Sequence, residues 1–537
     1  MNRVVRKSHF EGLESRSLLT TNLGNILFLG DSITHGATDF DSYRFEFWKS
    51  LIDPAESGTT ESFDFQFVGS QNSFFGSSRT LSHNSQDFPN IHEGHFGWNS
   101  ESVLSGNPLE PSAQKLSDWL QTYDVDLAFI HLGTNDLKAR FAHGTSFASI
   151  TRDRLASIVG QIQADSPDAT ILVAQIIPYY KGPPNYMWPP GSDGTANTEE
   201  KLAAYNADII ELNGLIASDA SSWSTSTSRV YTVDHHFDPN NPSEWLPIDH
   251  YVDQDFVHLN NNIGSDTMAN RWFAAQQAIP PTVTGVRVTS SDWTASFINS
   301  VDPELGLGYP IPKGANQSAP LPWVNLTEVL VTFDQQVNIS ESDVTLTGTE
   351  GKTYTFPPGT VNFDAASNTA SILLPANLTH DALTLTIGDT VTDLGGNALD
   401  GEWTDGSTLP RSGNGSAGGD FIYSFNVLPG DTNQDFFVSS PDLSNVRSHR
   451  FTGIGDAGYS VLLDVTGDGF IASGDISGVR SHRFSGLTLP AAAKVDQVFA
   501  NDSAHLIFDF DLLFEKKRAA KRNLVFGLQR DDTVFLA

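Results

Sequence analysis

The sequence predicts an α/β domain, built on a parallel sheet covered on both faces, at the start of a multidomain chain. Apolar runs typical of buried strands alternate with amphipathic stretches typical of helices from Asn25 to about Pro280. After Pro280 the sequence consists of short runs, rich in Thr and Val, in which apolar and polar residues alternate. This pattern favours an all-β sandwich. A duplicated acidic segment follows, and 537 residues are too many for one hydrophobic core.

The elements of the first domain follow from the spacing of apolar residues. The predicted strands are Ile26–Leu29, Phe65–Val68, Val125–Ile130, Thr170–Ile177 and Arg229–Val233. The predicted helices are Tyr43–Leu51, Ile150–Ala164, Glu199–Ser218 and Asn261–Ala278. Pro280 and Pro281 end the last helix, because proline lacks the amide proton and clashes with the preceding turn. Ligand sites in such sheets lie at the carboxyl ends of the strands.

The remaining chain divides by composition. Alternating runs such as Val329–Phe333 and Ala382–Ile387 belong to the predicted sandwich, residues 280–427. Its segment Val391–Leu399 resembles the ending of bacterial immunoglobulin-like surface modules, and we expect a spacer, since fold alone implies no activity. The predicted units are a leader-like segment (1–22), the α/β domain (23–279), the sandwich (280–427), an acidic repeat (428–490) and a tail of unknown role (491–537).

Composition limits the possible partners. With 31 Lys and Arg against 64 Asp and Glu, the chain carries a formal charge of −33, which disfavours nucleic acid and anionic membranes and suits calcium binding. There are no cysteines, so disulfides and thiolate catalysis are excluded. No apolar run is long enough to span a bilayer. The stretch LESRSLL at residues 13–19 resembles a short leader of exported bacterial proteins, and we expect a secreted or cell-surface protein.

Two segments of the first domain could supply a nucleophile and an oxyanion donor. Gly30–Thr34 (GDSIT) directly follows the first strand, so the hydroxyl of Ser32 is exposed at a turn and its backbone N–H can face an oxyanion. Glu93–Trp98 (EGHFGW) contains Gly97, whose N–H can come close because no side chain intervenes.

Two further segments could supply a neutral donor and a proton carrier. Gly133–Asp136 (GTND) ends a strand, and the Asn135 amide can stabilise negative charge without changing its protonation. Asp255–His258 (DFVH) precedes the last helix, and its three-residue offset can place both polar side chains on one side of a turn. An ordinary imidazole, with a pKa of about 6.5, suits proton transfer at neutral pH.

In this order the four segments resemble the SGNH (GDSL-type) hydrolase family over residues 23–279, which implies a three-layer, flavodoxin-like sheet. The resemblance implies that Ser32 is the nucleophile and contributes one oxyanion N–H, with Gly97 and Asn135 completing the hole. It implies that His258 is the general base and then acid, oriented by Asp255. A serine hydroxyl needs such a neighbouring base to become a nucleophile.

Each residue also has a purely structural interpretation. Ser32 could cap the following helix, Asn135 could hold a turn, and His258 could be a hydrogen-bonded core histidine. Gly94 or Gly76 could supply the donor in place of Gly97.

Three short sequence segments indicate a particular group within the SGNH family. FVGSQ (67–71), EGHFGW (93–98) and AQIIP (174–178) resemble the acetylxylan-esterase group, which implies removal of acetyl groups from plant or algal polysaccharide. Lipids or thioesters are alternative substrates. A cell-surface glycan-binding or adhesion protein on a non-catalytic hydrolase scaffold is an alternative from another class, although the intact polar residues argue against it.

Two other groups of residues near the predicted site each have more than one interpretation. The loop 178–197 carries aromatic side chains that could stack on sugar rings or pack the loop onto the sheet, namely Tyr179, Tyr180, Tyr186 and Trp188. A second group superficially suggests a metal site, although nucleophilic ester hydrolysis needs none: His235, His236, Asp238, Asp249 and His250.

The acidic repeat, over residues 428–490, resembles the paired calcium loops of dockerin type I modules. The resemblance implies structural Ca²⁺, which takes about 6–8 oxygen ligands, and a cohesin-type protein partner. The implied ligands of the first loop are Asp431, Asn433, Asp435, the carbonyl of Phe437 and Asp442, with Ser439 at a water-linked position. Those of the second are Asp464, Thr466, Asp468, the carbonyl of Phe470 and Asp475.

The repeat departs from the family pattern in two ways. The first loop has Phe436 where the sharp turn normally needs glycine, whereas the second keeps Gly469. Thr466 stands in the place of the usual Asn or Asp. Either change could weaken a site, and acidic turns without metal are the alternative.

Overall fold

The computed structural model describes residues 20–59, 62–180, 198–253, 255, 257–349, 352–376, 378 and 380–487. The leader-like residues 1–19, the aromatic residues Tyr186 and Trp188, and the tail 491–537 lie outside these ranges. In the described ranges, no helix combines the length and the apolar character that a bilayer span requires.

The first domain is built on a parallel sheet with the strand order β2-β1-β4-β5-β6, and β3 adds to the end of β1. This confirms the predicted parallel sheet. The strands are β1 (Thr20–Gly30), β2 (Ser62–Val68), β3 (Glu93–Gly94), β4 (Leu127–His131), β5 (Thr170–Gln175) and β6 (Val230–Asp234).

Helices cover both faces of this sheet. The main helices are α1 (Ser32–His35), α2 (Tyr43–Ile52), α3 (Ala148–Asp165), α4 (Glu199–Asp219) and α5 (Ile263–Gln277). Because successive side chains of a strand point to opposite faces, Leu27 and Leu29 pack in the core beneath α3 and α4, whereas Ile26 and Phe28 pack beneath α2 and α5. Shorter elements are the helices 54–57, 100–105, 116–119 and 140–143 and the hairpins 82–87 and 237–245.

Two antiparallel sheets pack face to face in the second region and share one apolar core. The first contains, in spatial order, Tyr309–Pro310, Val283–Thr289, Glu328–Phe333, Thr369–Leu373 and Val361–Asp364. The second contains Thr353–Tyr354, Val344–Gly348, Asp381–Ile387 and Phe421–Val427. A short ladder pairs Val337–Asn338 with Thr392–Asp393, and the helix α6 spans Ala295–Val301.

The acidic repeat forms two loops, each followed by a helix, α7 (Ser440–Ser448) and α8 (Ser473–Ser481). The second loop lies against the sandwich. The backbone N–H of Thr294 donates to the carbonyl of Gly467 at 3.0 Å, and the N–H of Val324 donates to that of Val465 at 3.1 Å. A side chain at Gly467 would collide with the ring of Trp293, so glycine permits this close approach.

Candidate functional site

The turn that carries Ser32 is set by its neighbours. β1 ends at Gly30, where a Cβ atom would lie 2.5 Å from the carbonyl oxygen of His131. Asp31, rather than Ser32, caps α1, because the Oδ1 atom of Asp31 accepts a 3.0 Å hydrogen bond from the N–H of Ile33. The Ser32 hydroxyl is therefore not used as a helix cap. Complete burial of the Asp31 carboxyl raises its pKa to about 6.

A buried arginine holds the other end of α1. The Arg44 Nε atom donates to the carbonyl of Thr34 at 2.7 Å, and its Nη2 atom donates to that of His35 at 3.1 Å. Helix ends leave such carbonyls without partners inside the helix. Burial lowers the pKa of Arg44 to about 9. No sequence pattern indicates this role, because Arg44 lies in the first turn of a helix and the carbonyls that it binds lie about ten residues earlier in the chain.

Ser32, His258 and Asp255 form one hydrogen-bonded chain. The Nε2 atom of His258 lies 2.8 Å from the Ser32 Oγ atom, and its Nδ1 atom lies 2.6 Å from the Asp255 Oδ2 atom. A carboxylate only accepts, so Nδ1 carries the proton and Nε2 is left to accept from the serine hydroxyl. The ring of Phe40 stacks on that of His258 at a centroid distance of 4.2 Å and fixes its plane.

Gly97 and Asn135 lie on segments that contact each other. Gly97 is exposed and has a φ of +80°, a left-handed conformation that favours glycine. The Asn135 Nδ2 atom donates to the carbonyl of the next residue, Trp98, at 2.8 Å. Asn135 thus bridges to another segment rather than holding its own turn. The N–H of Gly94 donates to the His92 ring at 2.9 Å, and the carbonyl of Gly76 accepts from Thr38 at 3.3 Å. The Gly94 N–H is therefore already engaged.

Two buried carboxylates hold the Gly97 segment in place. Glu93 accepts from the Ser70 hydroxyl at 2.8 Å, the Tyr123 hydroxyl at 2.8 Å and the His95 ring at 2.9 Å. Asp136 accepts from the N–H of Ser100 at 2.9 Å and also from its hydroxyl. Burial raises the pKa of Asp136. The GTND segment is therefore bonded twice to the stretch that follows Gly97, through Asn135 to Trp98 and through Asp136 to Ser100.

Aromatic side chains line one side of His258. The ring of Phe96 lies 5.9 Å from that of His258, nearly parallel to it. Phe75 stacks on Phe96 at 4.2 Å and is 46% exposed. Of the aromatic loop predicted near the site, Tyr179 is buried, and the Tyr180 hydroxyl donates to the carbonyl of Leu246 at 2.7 Å. Both of these residues pack the start of the loop onto the domain.

In the part of the chain that the structure describes, the histidines and aspartates that suggest a metal site do not form a cluster of three ligand residues. His235 is buried between His131 and Trp272. His236 contacts the carbonyl of Ile176 at 3.3 Å. Burial lowers the pKa of both histidines. Asp249 bonds to its neighbour His250 at 2.9 Å, and the N–H of Asn240 donates to Asp238 at 2.8 Å.

The first acidic loop brings three carboxylates together. Oxygen atoms of Asp431, Asp435 and Asp442 lie within 4.8 Å of one another, a spacing that could hold one cation. Burial, with the charges of Asp442 and Asp435, raises the pKa of Asp431 to about 7. Asn433 bonds to Asp435 at 2.8 Å. Phe436 takes the φ of +70° that its place in the turn requires, so the missing glycine does not prevent the loop from forming.

The second loop has a different hydrogen-bond pattern. The Tyr459 hydroxyl donates to Asp464 at 2.8 Å, and the Thr466 hydroxyl donates to Asp475 at 2.9 Å. Asp468 accepts from the N–H of Phe470 at 2.9 Å. Within the described ranges, the three aspartates of this loop do not meet the spacing that the first loop meets.

Comparison with known proteins identifies the first domain. Residues 28–261 match the GDSL-like Lipase/Acylhydrolase family. A curated protein of Acetivibrio thermocellus named "Putative endoglucanase X" is 25% identical over 174 residues. That stretch covers 32% of this chain and 58% of the relative, so the chain spans less than two thirds of the relative's length.

Solved structures of several esterases are similar to part of this chain. A family 3 carbohydrate esterase from Clostridium thermocellum is 25% identical, with a TM-score of 0.29, and the match covers 47% of this chain and 94% of that one. A family 3 carbohydrate esterase from Talaromyces cellulolyticus is 22% identical, with a TM-score of 0.31, and the match covers 47% and 93%.

Proposed function

Because residues 28–261 form a GDSL-like acylhydrolase domain, we propose that this chain is a serine esterase that removes acetyl or other short acyl groups from polysaccharide. The observation that carries the proposal is the continuous chain from the Ser32 hydroxyl through His258 to Asp255, with distances of 2.8 and 2.6 Å. Gly97 and Asn135, on segments that are bonded to each other, are the proposed oxyanion donors beside it.

The proposed reaction proceeds through an acyl-enzyme. His258 takes the proton of Ser32 as the serine oxygen attacks the ester carbonyl. The negative oxygen of the tetrahedral intermediate then accepts hydrogen bonds from the N–H groups of Ser32, Gly97 and Asn135. The intermediate collapses, the C–O bond to the sugar breaks, and His258 returns the proton to the leaving alcohol. Water then attacks the acyl-enzyme by the same route, and the carboxylic acid leaves.

Two observations support a carbohydrate ester with a small acyl group. The sequence phrases around the site resemble those of acetylxylan esterases. An exposed aromatic ring, Phe75, adjoins the catalytic histidine through Phe96, and such a ring can stack on a sugar.

The test is hydrolysis of p-nitrophenyl acetate by the full chain and by Ser32→Ala. We expect turnover by the wild type and none above background by the variant, because the nucleophile is lost. Ser218→Ala is the matched control, since that serine is exposed at the far end of α4. Wild-type protein without Ser32-dependent turnover would refute the proposal. Acetate release from acetylated xylan, pectin and algal polysaccharides would then identify the substrate.

The same assay separates the alternatives. A glycan-binding protein on a non-catalytic scaffold would bind polysaccharide but show no hydrolysis that depends on Ser32. A lipase or thioesterase would prefer p-nitrophenyl esters of long chains, or thioesters, over the acetate. An acyl-chain-length series from C2 to C16 therefore tests the substrate class independently of the mechanism.

We also propose that the first acidic loop binds Ca²⁺ and that the protein is exported. Hard oxygen donors from Asp431, Asp435 and Asp442 converge there, and their like charges call for a cation. Bound calcium would neutralise these carboxylates and hold the loop. The second loop, from Asp464 to Asp475, is a weaker candidate, because in the described ranges its three aspartates do not meet the spacing that those of the first loop meet. A cohesin-type partner remains a prediction from the resemblance.

A further inference from the structure

The amide of Asn135 lies between a hydrogen-bond donor and a hydrogen-bond acceptor. Its Oδ1 atom accepts a 2.6 Å hydrogen bond from the Nζ atom of Lys138, and its Nδ2 atom donates to the carbonyl of Trp98 at 2.8 Å. An ammonium group can only donate, and a main-chain carbonyl can only accept. The two contacts therefore agree on which end of the amide is oxygen and which is nitrogen.

Turning this amide by 180° would replace two favourable contacts with two unfavourable ones. The NH₂ group of Asn135 would face the ammonium of Lys138, and the amide oxygen would face the carbonyl of Trp98. Each mismatched contact would leave a partly buried polar group without a hydrogen bond, which is unfavourable. Only the observed orientation keeps the NH₂ group on the side of Gly97 and Trp98, with its second N–H able to donate to an oxyanion.

We propose that Lys138 is a positioning residue for the esterase reaction: it holds the Asn135 amide with its N–H toward the oxyanion. This inference rests on the proposed function, because it assigns a role in the oxyanion hole. Lys138 does not touch the reacting atoms. It acts through Asn135, three residues earlier in the chain, from the short 3₁₀ turn Leu137–Ala139 that follows the GTND segment.

The charges around Lys138 are consistent with an ammonium held at this place. Burial lowers the pKa of Lys138, and the negative charges of Asp31 and Asp255 act in the opposite direction. Asp31 is fully buried, and among the described residues its Oδ2 atom has no hydrogen-bond partner. The cation therefore offsets carboxylates that adjoin Ser32 and His258, in addition to its bond to Asn135.

The first test compares two neutral replacements of similar length. Lys138→Met removes the donor, and Lys138→Gln keeps an N–H that can reach the Asn135 oxygen. We expect kcat for p-nitrophenyl acetate to fall about 10–100-fold in Lys138→Met, less than the loss of a whole oxyanion donor, with KM nearly unchanged. Lys138→Gln should recover most of that loss. Equal kcat values for wild type and Lys138→Met would overturn the inference, as would a change confined to KM.

The second test is a double-mutant cycle with Asn135→Ala. If Lys138 acts through the amide, adding Lys138→Met to Asn135→Ala should cause little further loss of kcat, because nothing remains to be oriented. Losses that multiply would show that Lys138 acts elsewhere and would contradict the inference. Thermal unfolding of each variant distinguishes a misplaced amide from a misfolded domain.

Failure of this inference and failure of the proposed function give different results. Absence of Ser32-dependent turnover in the wild type would refute the function. Crystal structures of the wild type and of Lys138→Met then test the inference without activity. We expect the Asn135 side chain to turn or lose its bond to Trp98 in the variant. An unchanged amide in Lys138→Met would overturn the positioning role.

Discussion

The site around Ser32, at the carboxyl ends of the strands, and the first acidic loop both bury carboxylates. They balance the negative charge in different ways. In the α/β domain, Asp255 bonds to the ring of His258, and the buried Asp31 has Lys138 nearby. In the loop, Asp431 faces Asp435 and Asp442, and its bonds to Asp435 and Phe436 come from backbone N–H groups. The first region pairs its carboxylates with groups of the polypeptide itself, whereas the proposal for the second is that a cation from solution balances its charge.

The largest expected effect tests whether the first region is self-sufficient. Asp255→Asn should lower kcat for p-nitrophenyl acetate by about 10⁴-fold, because an amide can stabilise the wrong tautomer of His258. Steady-state kinetics in buffer containing EDTA provide the measurement. Asp253→Asn, two residues earlier, is the control and should leave kcat unchanged. A loss of less than about tenfold in Asp255→Asn would mean that His258 does not depend on this carboxylate.

The next effect concerns the oxyanion donors. Asn135→Ala should lower kcat by about 10²–10³-fold with little change in KM, because the lost N–H bonds the intermediate more strongly than the substrate. Asn299→Ala, at an exposed residue of the sandwich helix α6, is the matched control. A variant with raised KM and normal kcat would instead place Asn135 in substrate binding. The result would show how much of the rate the fixed donors supply.

Calcium removal tests the second region. We expect calcium to stabilise the repeat by about 2.7 kcal/mol at a concentration 100 times its Kd, with Asp442→Asn abolishing most of this effect. Calorimetric unfolding of the full chain with CaCl₂ or EDTA provides the measurement. Asp475→Asn, the equivalent change in the second loop, should have the smaller effect, because among the described residues the aspartates of that loop do not meet the spacing of the first loop. Esterase kcat should be the same in both buffers.

The pH dependence of the repeat should have opposite signs with and without the metal. Without calcium, the raised pKa of Asp431 contributes stability at low pH that is lost as the pH rises from about 4 to about 7. With calcium, the carboxylates must be ionised, so binding strengthens over the same interval. Unfolding of the repeat, followed by hydrogen exchange at pH 5 and pH 7.5, checks this. Calcium affinity that falls toward pH 7.5 would contradict a carboxylate site.

The strands and helices that could be predicted from the sequence are those marked by the spacing of apolar residues. The long strands and helices of the α/β domain were predicted to within a few residues, except for the start of β1. The predicted strand begins at Ile26, but the observed strand begins at Thr20, because Thr20, Thr21, Asn22 and Gly24 also pair through their backbones with β2. The helix α6 was missed, although Thr294, which caps it, precedes the apolar pair Phe297 and Ile298.

The supporting residues of the site could not be predicted, because their roles depend on groups distant in the chain. Arg44 acts on the carbonyls of Thr34 and His35, and Glu93 joins Ser70, His95 and Tyr123. The nucleophile and its partners were recognisable as short motifs, whereas these side chains carry no local pattern. A charged residue that becomes buried looks the same in the sequence as one on the surface.

The smallest expected effect concerns Phe75, the residue proposed to contact the sugar of the substrate. Phe75→Ala should raise KM for acetylated polysaccharide about 3–10-fold, the range of about 0.5–1.5 kcal/mol that one aromatic contact supplies. KM for p-nitrophenyl acetate should stay the same, because this substrate has no sugar to stack on the ring. Phe451→Ala, at a 67% exposed phenylalanine of the repeat, is the control. Equal increases for both substrates would mean that Phe75 shapes the acyl site itself, and the sugar would then have to bind elsewhere.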